Sequence, residues 1–444
     1  MCNFTACLVV LALACGSIVG STPAAAADHP GWTQALEGKG DYGYFKKWFY
    51  EDGCYKQSFV QCKDFKAALR PTKWPAELIA DALKLNLDRA TTSTACVSAW
   101  GCDTAVASME LVALRGDAAD KEMLLGVLGD EKVYTGPAGR HNRALLVRIL
   151  AWYGDKTSAD LVKKYVAFEP GKEFSNYALS AGAALFETWN NNGLIEECKA
   201  MFEPDLKGYG VDEARTSCAH YLARFGDKSI VTKLARIKVG DDGVNDVMRA
   251  AMGDASSKAE WQGKVKEMAK NPDNSARISA LLGLAILGDA KAEKEFLGNV
   301  FGADGNLSWE HSKYLVTVAG LPIAKKVVDA AKKGLAKLPV KEIGGRAKAN
   351  VVAFLLKEGD ASALPVAKTL FAAADAEVRR QLAANLSGKA SNSPMSLKSN
   401  GAGAAAPIAG LAAVLDEAWS NETETGIRYS IADSWAMVRS AGGN

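Results

Sequence analysis

Past residue 103, apolar side chains recur at spacings of three, four, seven and ten residues, the repeat that lays them along one face of an α-helix. Three stretches agree position by position. Arg143, Arg215 and Arg277 are followed at offset seven by Leu150, Leu222 and Leu284, and at offset ten by Tyr153, Phe225 and Leu287. A Gly-Asp pair closes each stretch. In a fixed setting, preceded by one apolar helical stretch and followed by another, the dipeptide stands at 116–117, 154–155, 226–227, 253–254, 288–289 and 359–360, in steps of 38, 72, 27, 35 and 71 residues. The two long steps hold degenerate copies at Asn190–Gly193 and Ala319–Pro322, so the underlying period is about 36 residues. Glycine is suited to the left-handed residue after a helix, and the Asp behind it to capping the next helix. The predicted unit is helix, tight turn, helix. Strand patterns are scarce, and the fold class expected is all-α.

The motif Arg-x-x-(small)-x-x-x-Leu-x-x-(apolar)-Gly-Asp, followed by a second amphipathic helix, resembles the HEAT-like repeats of the type also found in phycobilisome lyases. The similarity covers about residues 103 to 371, and departs from the pattern near 193–210, 240–253 and 385–425. The resemblance implies an α-solenoid of stacked helix pairs, because one pair cannot bury its apolar stripe without neighbours.

The two ends of the chain read differently. Residues 28–102 hold eleven aromatic side chains between Trp32 and Trp74, of 36 in the whole sequence. This zone reads as a disulfide-stapled, aromatic-rich cap over the first of the repeats that occupy 103–384, or as a stacking platform for sugars or peptides. Residues 385–410 are rich in Ser, Gly and Ala and read as a flexible loop, with a terminal helical unit at 411–444.

Residues 6–19 are almost wholly apolar, and Ala25-x-Ala27 fits a leader-peptidase site, so 1–27 reads as a signal peptide. Periplasmic or extracellular export is expected. Lipidation at Cys15 is the lesser alternative, since Ala12 stands where a lipobox carries Leu. Removing the leader leaves six cysteines, for which sequential pairing is expected: Cys54 with Cys62, Cys96 with Cys102, and Cys198 with Cys218. Buried free thiols are the competing reading.

Charge and motifs narrow the function by exclusion. With 53 Lys and Arg against 51 Asp and Glu, the chain lacks the basic excess of a nucleic-acid binder. After the leader no apolar run reaches the length of a membrane span. No HExxH, GxSxG, Walker loop or GxGxxG is present, and the four histidines are dispersed, so no metal or cofactor is expected. Glu310-His311 as an acid and base, and Arg140 to Arg143 as an anion site, are weaker than their reading as exposed first-turn residues. The helices after the turns carry Lys163, Lys164, Lys233, Arg236, Lys264, Lys325 and Lys326, which could line an inner groove or simply face solvent. The expectation is a non-catalytic exported scaffold binding a protein or peptide, including an acidic one, along a concave face. A cell-wall or glycan binder using the aromatic zone is the alternative, and a lyase-like enzyme rests on fold analogy alone.

Overall fold

The computed structural model describes residues 159–421 apart from 209, 238, 240, 241, 302–307, 337–344 and 388–407, together with Arg143, Ala144, Val147 and scattered positions from 422 to 441. The leader, the aromatic zone, Cys54, Cys62, Cys96, Cys102 and most of the Ser/Gly/Ala loop lie outside the described residues. The described residues form fifteen α-helices and no strand. In chain order these are α1 (Ala159–Val166), α2 (Glu173–Thr188), α3 (Ile195–Ala200), α4 (Val211–Arg224) and α5 (Val231–Leu234). Then come α6 (Asp242–Ala251), α7 (Lys258–Glu267), α8 (Ser275–Ile286), α9 (Ala290–Val300) and α10 (Trp309–Val318). The last are α11 (Ala324–Ala336), α12 (Gly345–Lys357), α13 (Leu364–Phe371), α14 (Ala376–Leu386) and α15 (Leu411–Asn421). None is long and apolar enough to cross a membrane.

The turns follow the predicted chemistry. Gly226, Gly253, Gly288 and Gly359 all have φ between 74° and 91°. In each, the following Asp donates its N–H to a carbonyl five residues back, Leu222, Arg249, Leu284 and Leu355 respectively, which closes the helix end. The Asp side chain then opens the next segment. Asp289 Oδ1 accepts from the N–H groups of Lys291 and Ala292 at the start of α9, and Asp254 and Asp360 cap short 3₁₀ turns in the same way. The degenerate turn after α2 uses Asn190 at φ 52° in place of glycine, and Asn191 closes it with a bond to Phe186. The stretch 240–253, irregular in sequence, contains α6 and ends in the same turn.

One expectation is corrected. The Arg-bearing helices were expected to be amphipathic, with a single apolar stripe, yet α4 and α8 are buried around nearly their whole circumference, as is α12, which carries Lys348 in the same place. Packing from several sides explains this. Each even-numbered helix contacts the next, from α2 on α4 through to α12 on α14, while odd-numbered helices cover them, as α3 covers α4 and as α7 and α9 cover α8. The odd helices carry the narrow stripe: Ala292, Phe296 and Val300 in α9, and Ala324, Val327 and Ala331 in α11.

Polar contacts fix the register between neighbouring even helices. Ser180 meets Ser217 at 2.7 Å, Ser279 donates to Asp246, and Asn350 bridges Ser312 and Asn385 at 2.9 and 2.7 Å. The repeat arginines are buried anchors, only 6–8% exposed. Arg143 binds Glu169 at 2.7 Å and Arg277 binds Glu295, whereas Arg215 donates to the carbonyls of Met201, Glu203 and Leu206 and so holds the irregular loop after α3. Lys348 occupies the same place before Gly359, where burial lowers its pKa.

Candidate functional site

The ends of four helices that are far apart in sequence meet in one buried polar cluster. His220, in the last turns of α4, is fully buried. Its Nδ1 lies 3.0 Å from Glu187 Oε2 at the end of α2, and its Nε2 lies 3.1 Å from the Thr317 carbonyl at the end of α10. A carbonyl has no proton to give, so Nε2 is the donor there. Nδ1 and the Glu187 carboxyl therefore share a proton between them. Arg224, one turn further along α4, reaches Glu187 Oε1 at 3.7 Å. Its guanidinium lies against Gly320, where a Cβ would overlap it, and the Gly320 N–H donates to Glu358 at the end of α12.

Lys357 completes the group. Burial lowers its pKa to about 7, opposed by the Glu187 carboxylate and reinforced by the Arg224 charge. Burial also raises the Glu358 carboxyl above its ordinary value, against the Gly320 hydrogen bond and the nearby cations. Four helix C-termini bring partial negative charge to one place, and three basic side chains answer it. Beside Glu187, Cys198 and Cys218 are both fully buried free thiols. Burial and then the hydrogen bond to Cys218 push the Cys198 thiol well up. The bond expected between them is not formed in this structure, although the two side chains face each other.

Sequence reasoning missed this cluster because it searched for histidine and cysteine at ligand spacing on one helix. A signal was present. At offsets nine and ten from the repeat basic residue, other copies carry Trp152-Tyr153 or Ile286-Leu287, while this pair of copies carries Arg224 at offset nine and Lys357-Glu358 at both.

Four of the seven basic residues singled out in the sequence are paired with acidic side chains. Lys163 pairs with Glu197 at 3.4 Å, Lys233 with Glu203 at 3.0 Å, Lys326 with Glu293 at 3.6 Å, and Lys264 with Asp246 and Glu260 at 3.2 and 2.8 Å. Lys164, Arg236 and Lys325 are exposed. Four of the seven thus have acidic neighbours, which interrupts the expected row of positive charge.

Glu310 and His311 also separate. Glu310 pairs with Lys313 at 2.5 Å. His311, expected at the surface, is buried with Nδ1 2.9 Å from Ser308 Oγ and 3.6 Å from Asp273, and burial lowers its pKa. Of the proposed anion site, Arg143 is the described residue, and it lies 4.4 Å over the Phe174 ring. Among the described residues no group of three or more His, Cys, Asp or Glu side chains is placed to hold a metal ion. No protein-family model matches this chain, and neither does a curated protein or a solved structure.

Proposed function

We propose that this protein is an exported, non-catalytic helical-repeat scaffold, a HEAT-like α-solenoid that binds a protein or peptide partner. One observation carries the reading. The same Gly-Asp closure recurs four times, three of them with a buried basic residue eleven positions before the glycine, along a row of helices stacked on their neighbours, as in folds that build extended binding surfaces. Export is proposed on the apolar leader and the even cysteine count, and the facing Cys198 and Cys218 thiols are proposed to join as one of its structural disulfides. The exposed Lys164, Arg236 and Lys325 are offered to an acidic partner.

The test is affinity capture from an envelope extract, with the wild-type chain compared to a variant carrying Lys164→Glu, Arg236→Glu and Lys325→Glu. A partner held at low salt by the wild type and released by the variant supports the reading. Turnover of a substrate by the purified chain would overturn its non-catalytic part. A catalytic alternative has one observation in its favour, the amine of Lys357 brought near neutrality among Glu187, His220 and Glu358. Against it, Glu187 and His220 are engaged with each other, and both are buried with Lys357.

A further inference from the structure

Along the row of even-numbered helices, α4 and α10 are separated by α6 and α8, yet their ends touch through His220 and Thr317, 97 residues apart. Polar groups from four helices surround the contact. Glu187 comes from α2, His220 and Arg224 from α4, the Thr317 carbonyl and Gly320 amide from the end of α10, and Lys357 and Glu358 from α12. Tyr221 and the two thiols also lie within reach of Glu187, and burial pushes Tyr221 and Cys198 upward, away from the neutral range.

The crossing ties two inner helices of the row, α4 and α10, to each other past α6 and α8. We propose that this crossing is a latch that closes the row of helices on itself, shuts the face a partner would use, and loosens as the buried Lys357 amine takes up a proton. The latch rests on the scaffold reading for its purpose alone.

The sign of the pH dependence follows from Lys357. In the closed form its pKa is about 7, and on opening the amine returns to water and to its ordinary value of 10.5. Between those two values the open form holds a proton that the closed form has lost. Closure therefore strengthens as pH rises through that window, by up to about tenfold per pH unit, and is weakest at and below neutrality. Glu358, raised in the closed form, acts in the opposite sense, and only from the ordinary carboxylate range up to its raised value.

Small-angle scattering of the full chain at about pH 7 and about pH 9.5, with far-UV circular dichroism alongside, tests the latch. The wild type is expected to contract at the higher pH with unchanged helicity, and Lys357→Met is expected to be equally compact at both. An unchanged wild-type radius overturns the latch. So does expansion accompanied by loss of helicity, or a Lys357→Met variant that keeps the wild-type response. Capture of a partner as tight at about pH 9.5 as at pH 7, with the expected scattering, would break the tie to partner binding and leave the scaffold reading standing.

Discussion

The ends of α8 and α12 are built by one local rule and finish in opposite surroundings. Both close with glycine at positive φ, the same five-back hydrogen bond and an Asp that opens the following segment. At α8 the residues before the glycine are Ile286 and Leu287, half-exposed and apolar. At α12 they are Lys357 and Glu358, carried into contact with α2, α4 and α10. The turn is thus a local property, whereas the charge state of the residues beside it depends on which distant helices arrive there.

Removing the acid at the centre of the crossing should break the comparison most severely. Glu187→Ala leaves His220 and Arg224 without their carboxylate, and denaturant unfolding is expected to show a loss of about 3–5 kcal/mol, far beyond the effect of Leu287→Ala at the half-exposed end. A loss no larger than that of Leu287→Ala would mean that the crossing is not held by charge. Next in size is the neighbouring thiol pair. Non-reducing peptide mapping is expected to recover Cys198 joined to Cys218, and Cys198→Ala with Cys218→Ala to cost about 3 kcal/mol, the scale for a loop of this length. Free thiols throughout the purified protein would dispose of the bond.

Lys357→Met sharpens the contrast instead of destroying it. Because burial disfavours the ammonium, the variant is expected to gain about 1–2 kcal/mol at neutral pH. Its pH profile supplies the control. The unfolded chain binds a proton that the folded chain has lost between about 7 and 10.5, so wild-type stability should rise with pH across that window, and the rise should be missing from Lys357→Met. Equal slopes in the two proteins would locate the titration elsewhere. The smallest effect belongs to the shared turn. Asp289→Ala removes two capping hydrogen bonds from α9 and should cost about 1 kcal/mol in thermal unfolding, with little change in pH profile.

Much of this was legible in the sequence, for a physical reason. Helix period, glycine at the left-handed position and Asp as a cap act within a few residues, so Gly226, Gly288 and Gly359 announce their turns without help from the rest of the chain. The repeat arginines were visible as a pattern, but their partners were not: Arg143 and Arg277 find glutamates and Arg215 finds three carbonyls. The acidic partners of the lysines were not visible either, because an ion pair depends on what the adjacent helix presents, as Glu197 does to Lys163 and Glu293 to Lys326.

By itself the sequence determined the helices, their ends and the spacing of the units, since these depend on hydrogen bonds and dihedral preferences that span one or two turns. Only the tertiary structure decided that the buried Glu187, His220 and Lys357 and the half-buried Arg224 and Glu358 share one place. Tertiary packing joins residues up to 97 positions apart by direct hydrogen bond, and no local pattern encodes which distant helix ends will meet.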